Sequence, residues 1–182
     1  MNIAETTVYL GLGSNLGDRT AMLQAAVDHI ADLGDTMPLR CSAVYETSPW
    51  GEYQQPGFLN CVLEVVTTLE PPALFEQLKQ IERTLGRVPG PKNGPRIIDI
   101  DILLYGERVL QSDDLRIPHP MMEHRNFVLV PLRDLAPLLK HPVSGHTISE
   151  LALRCPDSGS VTPTDFRLYL HTVHGDGEAR GT

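Results

Sequence analysis

The run Gly94-Pro95-Arg96-Ile97-Ile98-Asp99-Ile100-Asp101-Ile102-Leu103-Leu104-Tyr105-Gly106 limits the possible folds of this chain more than any other stretch. Its β-branched, apolar character between Gly-Pro and Gly predicts a strand, and a strand turns alternate side chains to one face. Asp99 and Asp101 therefore point the same way. Two residues of rise separate their Cα atoms by roughly 6.6 Å, near enough for the carboxylates to hold one Mg²⁺ or bridge a pair of ions carrying a polyphosphate. Two close carboxylates in an otherwise hydrophobic strand repel, so positive charge is expected beside them. Arg96 at the strand entrance is a candidate anion clamp. The plainer reading is a pair of aspartates on the wet face of an edge strand. Against it, aspartate is a poor strand former and the flanks on both faces are Ile and Leu.

The rest of the chain surrounds this strand with an α+β pattern. Residues 6–12 read as a first strand entering the glycine-rich turn Gly11-Leu12-Gly13-Ser14-Asn15-Leu16-Gly17-Asp18. A helix follows from Arg19 to Leu33, with Asp18 as N-cap, Met22, Ala26, Ile30 and Leu33 as its buried stripe and Gly34 as its stop. The glycines invite a dinucleotide-binding reading, but Gly11, Gly13 and Gly17 space as GxGxxxG and no acidic residue ends a second strand about twenty residues on. A tight turn needing positive φ is the better account. Residues 40–48 read as a second strand. Phe58 to Leu69 is a third, with Leu59, Cys61, Leu63 and Val65 on one face and Phe58, Asn60, Val62 and Glu64 on the other. An aromatic beside a carboxamide suits stacking on, and hydrogen bonding to, a flat heterocycle.

Pro71-Pro72 opens a second helix to Leu85, with Leu74, Leu78, Ile81 and Leu85 at core spacing and Gly86 at its end. Its other face carries Phe75, Lys79 and Glu82, and Arg87 follows. The order β-α-β-β-α-β through residue 105 is the split βαβ pattern. It predicts a ferredoxin-like antiparallel sheet with the two helices packed on one face and the other face free for a ligand. Beyond it come a polar hairpin, Leu115 to Pro120, a single helical turn at Met121–Arg125, an apolar run Phe127–Leu132 and a short helix at Ile148–Leu153. One domain over residues 1–156 is expected, with a Gly/Ser/Thr-rich tail, 157–182, partly disordered.

Composition narrows the partners. With 15 basic and 23 acidic residues the net charge is −8, which argues against nonspecific binding to nucleic acid or anionic membrane. Cys41, Cys61 and Cys155 are too scattered for a disulfide framework or zinc knuckle. With no signal peptide and no apolar run of membrane-spanning length, a cytoplasmic protein is expected.

Several separate stretches together resemble one family, over roughly residues 7–150. They are Gly11-Leu-Gly-Ser-Asn15, Tyr45-Glu-Thr-Ser-Pro49, Phe58-Leu-Asn60, Ile81-Glu82 with Gly86-Arg87, Gly94-Pro-Arg-Ile-Ile-Asp-Ile-Asp101, and Pro118-His119 followed by Arg125 and Phe127. In this order they resemble the 6-hydroxymethyl-7,8-dihydropterin pyrophosphokinases of folate biosynthesis. The resemblance implies transfer of the β,γ-diphosphoryl unit of ATP to a pterin hydroxymethyl oxygen, releasing AMP. It assigns Asp99 and Asp101 to Mg²⁺, two ions in all, and Arg87 and Arg96 to catalysis on the phosphates. Phe75, Lys79, Glu82, Arg87, Arg96, Ile102, His119 and Arg125 would attend ATP. Thr47, Ser48, Trp50, Phe58, Asn60 and Phe127 would form the pterin slot, Phe58 and Phe127 sandwiching the ring and Asn60 reading its edge. Such a transfer is mainly positioning and electrostatics, so no general base is assigned. A monomer acting on small molecules is implied.

Taken singly, His119 could be a turn residue between two prolines and Arg87 a cation favoured by a helix C-terminus. The sequence also departs from the family pattern. A second arginine after Arg87 and an aromatic before Gly-Pro-Arg are common there; Pro89 or Gly90, and Asn93, stand in those places. Lys92 is expected to replace part of the missing charge. Two other readings fit the acid pair less well: a metal-dependent nuclease, which would want a third acidic ligand and a basic track, and a binding module without chemistry.

Overall fold

A computed structural model describes residues 5–50, 54–91 and 93–170. The chain runs β1 (Thr6–Ser14), α1 (Arg19–Ala31), β2 (Thr36–Cys41), β3 (Tyr45–Thr47), β4 (Phe58–Thr67), α2 (Pro71–Thr84) and β5 (Asp99–Tyr105). It continues through β6 (Leu110–Gln111), β7 (Arg116–Ile117), a 3-10 turn (Met122–His124), α3 (Asn126–Leu135), α4 (Ile148–Arg154) and β8 (Val161–Pro163). The main sheet is antiparallel in the order β5-β1-β4-β3-β8, with β2 also on β4. This is the predicted α+β arrangement, with the first and last strands of the split motif adjacent.

Alternation explains the layering. Val8, Leu10 and Leu12 of β1, Leu59, Cys61, Leu63 and Val65 of β4, and Ile98, Ile100 and Ile102 around β5 share one core with α1 and α2. From α1 this core takes Leu23, Ala26, Val27 and Ile30. The stripe is thus rotated from the expected one: Met22 and Leu33 are only half-buried. Asp18 caps α1 as predicted, its carboxylate accepting from Ala21 N at 3.0 Å.

The opposite face is not left open along its length. Tyr9, Val62, Leu103 and Leu104 form a second core with Val128, Leu129 and Leu132 of α3 and Ile148 and Leu151 of α4. Tyr45 Oη, donating to Asp134 Oδ2 at 2.8 Å, ties α3 to β3. The ligand face expected from the split motif is reduced to the part of the sheet that α3 does not reach.

Three local readings change. The expected strand over 40–48 is two short strands, because Ser42 Oγ accepts from Val62 N at 2.9 Å and takes the place of a ladder bond. Gly11 and Gly13 lie within β1, not in a turn; of the three glycines only Gly17 has positive φ, at 65°. Of the tail expected over 157–182 to be partly disordered, the part up to residue 170 is tied down. Its β8 pairs with β3, and Phe166, Leu168 and Leu170 pack on the first core. Among the described residues no helix is long and apolar enough to cross a membrane.

Candidate active site

Asp99 and Asp101 sit in β5 opposite Gly13 and Gly11 of β1. Because Ile98, Ile100 and Ile102 alternate with them into the helical core, both acids face the uncovered part of the other face, where both line one cavity. Their surroundings differ. Asp99 is held on both oxygens: Arg87 Nη1 reaches Oδ1 at 2.5 Å and Arg96 Nη1 reaches Oδ2 at 2.7 Å. Burial alone would raise its pKa, but Arg96 and Arg87 beside it hold the carboxyl below the usual aspartate range. Among the described residues Asp101 has longer partners, Lys79 Nζ at 3.8 Å and His119 Nε2 at 4.0 Å, and its side chain keeps 36% of its exposure. Partial burial and the neighbouring Asp99 charge push its pKa up. The predicted cations are therefore present, and unequally shared.

Glu82, expected near the nucleotide, is bonded to the protein itself. It is 2% exposed, and its Oε1 accepts from Ile100 N at 2.6 Å, Lys79 Nζ at 2.7 Å and Arg87 Nη1 at 2.7 Å. Lys79 Nζ also donates to Ile100 O at 2.9 Å. Glu82 and Lys79 thus grip the strand midway between the two aspartates. Gly86, at φ 91°, ends α2 in the left-handed region that favours glycine and delivers Arg87 to Asp99.

The shared cavity is floored by β1 and walled by Thr47, Ser48, Trp50, Phe58, Asn60 and Phe127, all six residues expected to form a pterin slot. Arg96, His119 and Arg125 complete its polar side. The glycines have a packing reason: a Cβ on Gly13 would lie 2.6 Å from Asn60 Oδ1, and one on Gly11 would lie 3.3 Å from Leu103 Cδ2. Asn60 Nδ2 donates to Thr47 Oγ1 at 2.7 Å, which fixes the carboxamide. A cation joins the aromatic walls of this cavity. The Arg125 guanidinium stacks over Trp50 at 4.7 Å and over Phe127 at 5.6 Å. Arg125 Nε is buried without a hydrogen-bond partner among the described residues, an unpaired donor beside the acid pair.

A second cavity opens on the other side of Asp101 and His119, which line both. Phe75, Ile102 and Pro120 give it apolar walls, and Asp113, Asp114 and Arg116 a polar rim. Phe75 lies under Lys79 Nζ, 5.5 Å from the ring centre.

The model of the family described as 7,8-dihydro-6-hydroxymethylpterin-pyrophosphokinase (HPPK) matches residues 9–137. The chain belongs to this HPPK family. It is 43% identical over 154 residues to the 2-amino-4-hydroxy-6-hydroxymethyldihydropteridine pyrophosphokinase of Methylorubrum extorquens, covering 85% of this chain and 96% of that one. It is 40% identical over 165 residues to the folic acid synthesis protein FOL1 of Dictyostelium discoideum, covering 88% of this chain but only 24% of that longer protein. Among solved structures, Plasmodium falciparum HPPK-DHPS, wild type with pterin and p-hydroxybenzoate, superposes with a TM-score of 0.66 at 19% identity, over 83% of this chain and 42% of that one. That likeness shows the fold.

Some residues around these cavities have no site role in the sequence reading. Asn15 clips two loops together: its Nδ2 donates to Gln55 Oε1 and Pro56 O at 3.0 and 3.1 Å, while its Oδ1 accepts from Arg96 N at 2.8 Å. Asn93, which stands where the family pattern has an aromatic, lines the first cavity with φ 59°, its carbonyl accepting from Gln55 Nε2 at 2.8 Å. Asp113 and Asp114 read only as part of a polar hairpin, and Arg116 as part of the stretch that follows it. Lys92 lies outside the described residues.

Proposed function

We propose that the first cavity takes the pterin, the second takes the nucleotide, and Asp99 and Asp101 hold the phosphates where the two meet. As an HPPK, the chain transfers diphosphate from ATP to 6-hydroxymethyl-7,8-dihydropterin in folate biosynthesis, giving AMP and the pterin diphosphate. The observation that carries the division is that Asp101 and His119 line both cavities.

The reaction depends on ATP as co-substrate and on Mg²⁺. Among the described residues no group of three or more His, Cys, Asp or Glu could hold a metal unaided. Two carboxylates on one strand face fit Mg²⁺, which takes one or two protein carboxylates and completes its shell with water and phosphate oxygens. We place two ions on Asp99 and Asp101. Bound there, Mg²⁺ would draw the phosphate oxygens together and offset their charge.

The chain's own residues do the rest by position. Arg96 and Arg87, already beside Asp99, neutralise charge on the transferring group and on the departing AMP oxygen. Arg125 and His119 contact the ATP phosphates, and the buried Arg125 Nε supports an anionic partner there. Lys79 and Glu82 hold β5 in register for this. Phe75 and Ile102 seat the base. Phe58, Phe127 and Trp50 supply aromatic surface for the pterin, and Asn60 with Thr47 and Ser48 reads its polar edge. No residue is assigned as a base, because a loose transfer needs little help with the proton.

The net charge of −8 supports small-molecule substrates over nucleic acid or membrane, and we take the working form to be a cytoplasmic monomer. The test is AMP release from ATP and Mg²⁺ with and without the hydroxymethyldihydropterin. Pterin-dependent AMP is expected; AMP formed equally without pterin, or pterin binding without AMP, would refute the assignment.

A further inference from the structure

The segment after α4 is fastened to both walls of the first cavity. On one wall Ser48 N donates to Ser160 O at 3.2 Å, and Ser48 Oγ accepts from Ser160 N at 3.0 Å. These bonds extend the ladder in which Thr47 pairs with Val161. On the other wall Asp157 Oδ2 accepts from Asn126 N at 3.0 Å, and the Asp157 carbonyl accepts from the Asn126 carboxamide. Asp157 Oδ1 accepts from Gly159 N at 2.8 Å, which locks the acid into the turn between the two walls. That turn runs so close that a Cβ on Gly159 would sit 2.9 Å from Ser48 Oγ and 3.0 Å from Asp157 Oδ1.

The consequence falls on α3. Its N-cap position is Arg125, which gives no side-chain cap, so the first N–H of the helix would lack a partner. Asp157 supplies that partner from 31 residues downstream, and a carboxylate there is also favoured by the helix dipole. The residues on either side of the bonded Asn126 are Arg125 and Phe127, both of which line the cavity. The family match ends at residue 137, so the segment lies beyond the part of the chain that the family model describes.

We propose that residues 157–161 are a strap joining the two walls of the pterin cavity, with Asp157 a positioning residue that sets Phe127 for the pterin through Asn126. This rests on the assignment of the first cavity to the pterin. Without the strap the α3 wall is free to shift against the Ser48 wall, and the pterin, which touches both, loses affinity. ATP, seated mainly in the second cavity, is affected less.

The test is steady-state titration of each substrate on the full chain carrying Asp157→Ala, Asp157→Asn or Gly159→Ala, with Phe58→Ala as a control on the cavity assignment. Loss of a cap with its charge is expected to raise the pterin KM about five- to tenfold in Asp157→Ala, with kcat and the ATP KM within about twofold. Gly159→Ala should raise the pterin KM in the same sense, and Asp157→Asn, which keeps an acceptor for Asn126 N, should recover most of the loss. An unchanged pterin KM in Asp157→Ala, or equal losses for both substrates, overturns the strap. If Asp157→Ala does not fold, an unchanged pterin KM in Gly159→Ala overturns it instead. If Phe58→Ala raises the pterin KM while the strap variants do not, the strap alone falls; if Phe58→Ala also leaves it unchanged, the cavity assignment falls and takes the strap with it.

Discussion

The two faces of the central sheet are built from the same strands by the same alternation, yet one is a dry core and the other a core with a polar window. On the helical face Leu10, Leu12, Leu63, Ile98 and Ile100 meet α1 and α2, and the buried Glu82 of α2 is bonded to the backbone of Ile100. On the other face α3 and α4 cover Tyr9, Val62, Leu103 and Leu104, then leave Gly11, Gly13, Asn60, Asp99 and Asp101 to the cavity. The difference teaches that stability and chemistry here are divided by strand parity. A substitution at one position should disturb one face, and its neighbour the other.

The largest effect expected from this division is at the acids. Asp99→Asn or Asp101→Asn should lower kcat by about a thousandfold or more, the several kcal/mol that metal-assisted charge stabilisation contributes, with an unchanged circular dichroism spectrum. Near-normal turnover in either variant would remove the acid pair from the mechanism.

The opposite face should respond in stability alone. Ile30 is fully buried against the helical core, and Ile30→Ala should cost about 2–5 kcal/mol in denaturant unfolding while both KM values hold. A comparable change in either KM would show that the faces are not separable. Gly13→Ala puts a methyl group 2.6 Å from Asn60 Oδ1 and should weaken pterin binding by about 1–3 kcal/mol, as overpacking commonly does, with ATP binding little altered. Isothermal titration of the two ligands distinguishes these outcomes.

The smallest effect separates the two aspartates from each other. Asp101 has a raised pKa in the folded chain, so its contribution to stability falls as pH rises from the ordinary aspartate value of about 3.9 through the raised one. Asp101→Asn should remove that fall and slightly raise the melting temperature at pH 7. Asp99 has a lowered pKa, so its stabilisation is present above the ordinary value and is lost as pH falls through the folded one. Asp99→Asn should lower the melting temperature at pH 7, because Arg87 and Arg96 lose their shared anion. Thermal melts showing shifts of the same sign for both would refute this contrast.

Much of this was legible in the sequence wherever a periodic pattern met its own physical reason. The alternation of Ile with Asp in β5 gave both the strand and the face of the acids, and the motif order gave the sheet topology. What escaped depended on distant partners. Gly11 and Gly13 were read as turn glycines because nothing local reveals that Asn60 and Leu103 press against them. The break at Ser42 depends on its hydroxyl replacing a backbone acceptor for Val62. The helix α3 was legible only as an apolar run, since it carries Pro131 in its interior, where proline ordinarily argues against helix. The strand β8 is three residues ending in Pro163 and has no signal apart from its pairing with β3. The clip made by Asn15 and the burial of Glu82 are likewise tertiary facts.

The grip of Glu82 and Lys79 on Ile100 has one more effect. Among the described residues the strand they hold is the outermost on its side of the sheet, bonded to a neighbouring strand along one flank. On its other flank the amide and carbonyl of Ile100 are already taken by side chains from a helix, so a stray strand from another molecule finds no row of free backbone groups to zip onto at that point. The residues that steady the acids thereby also close that point of the rim to strand pairing.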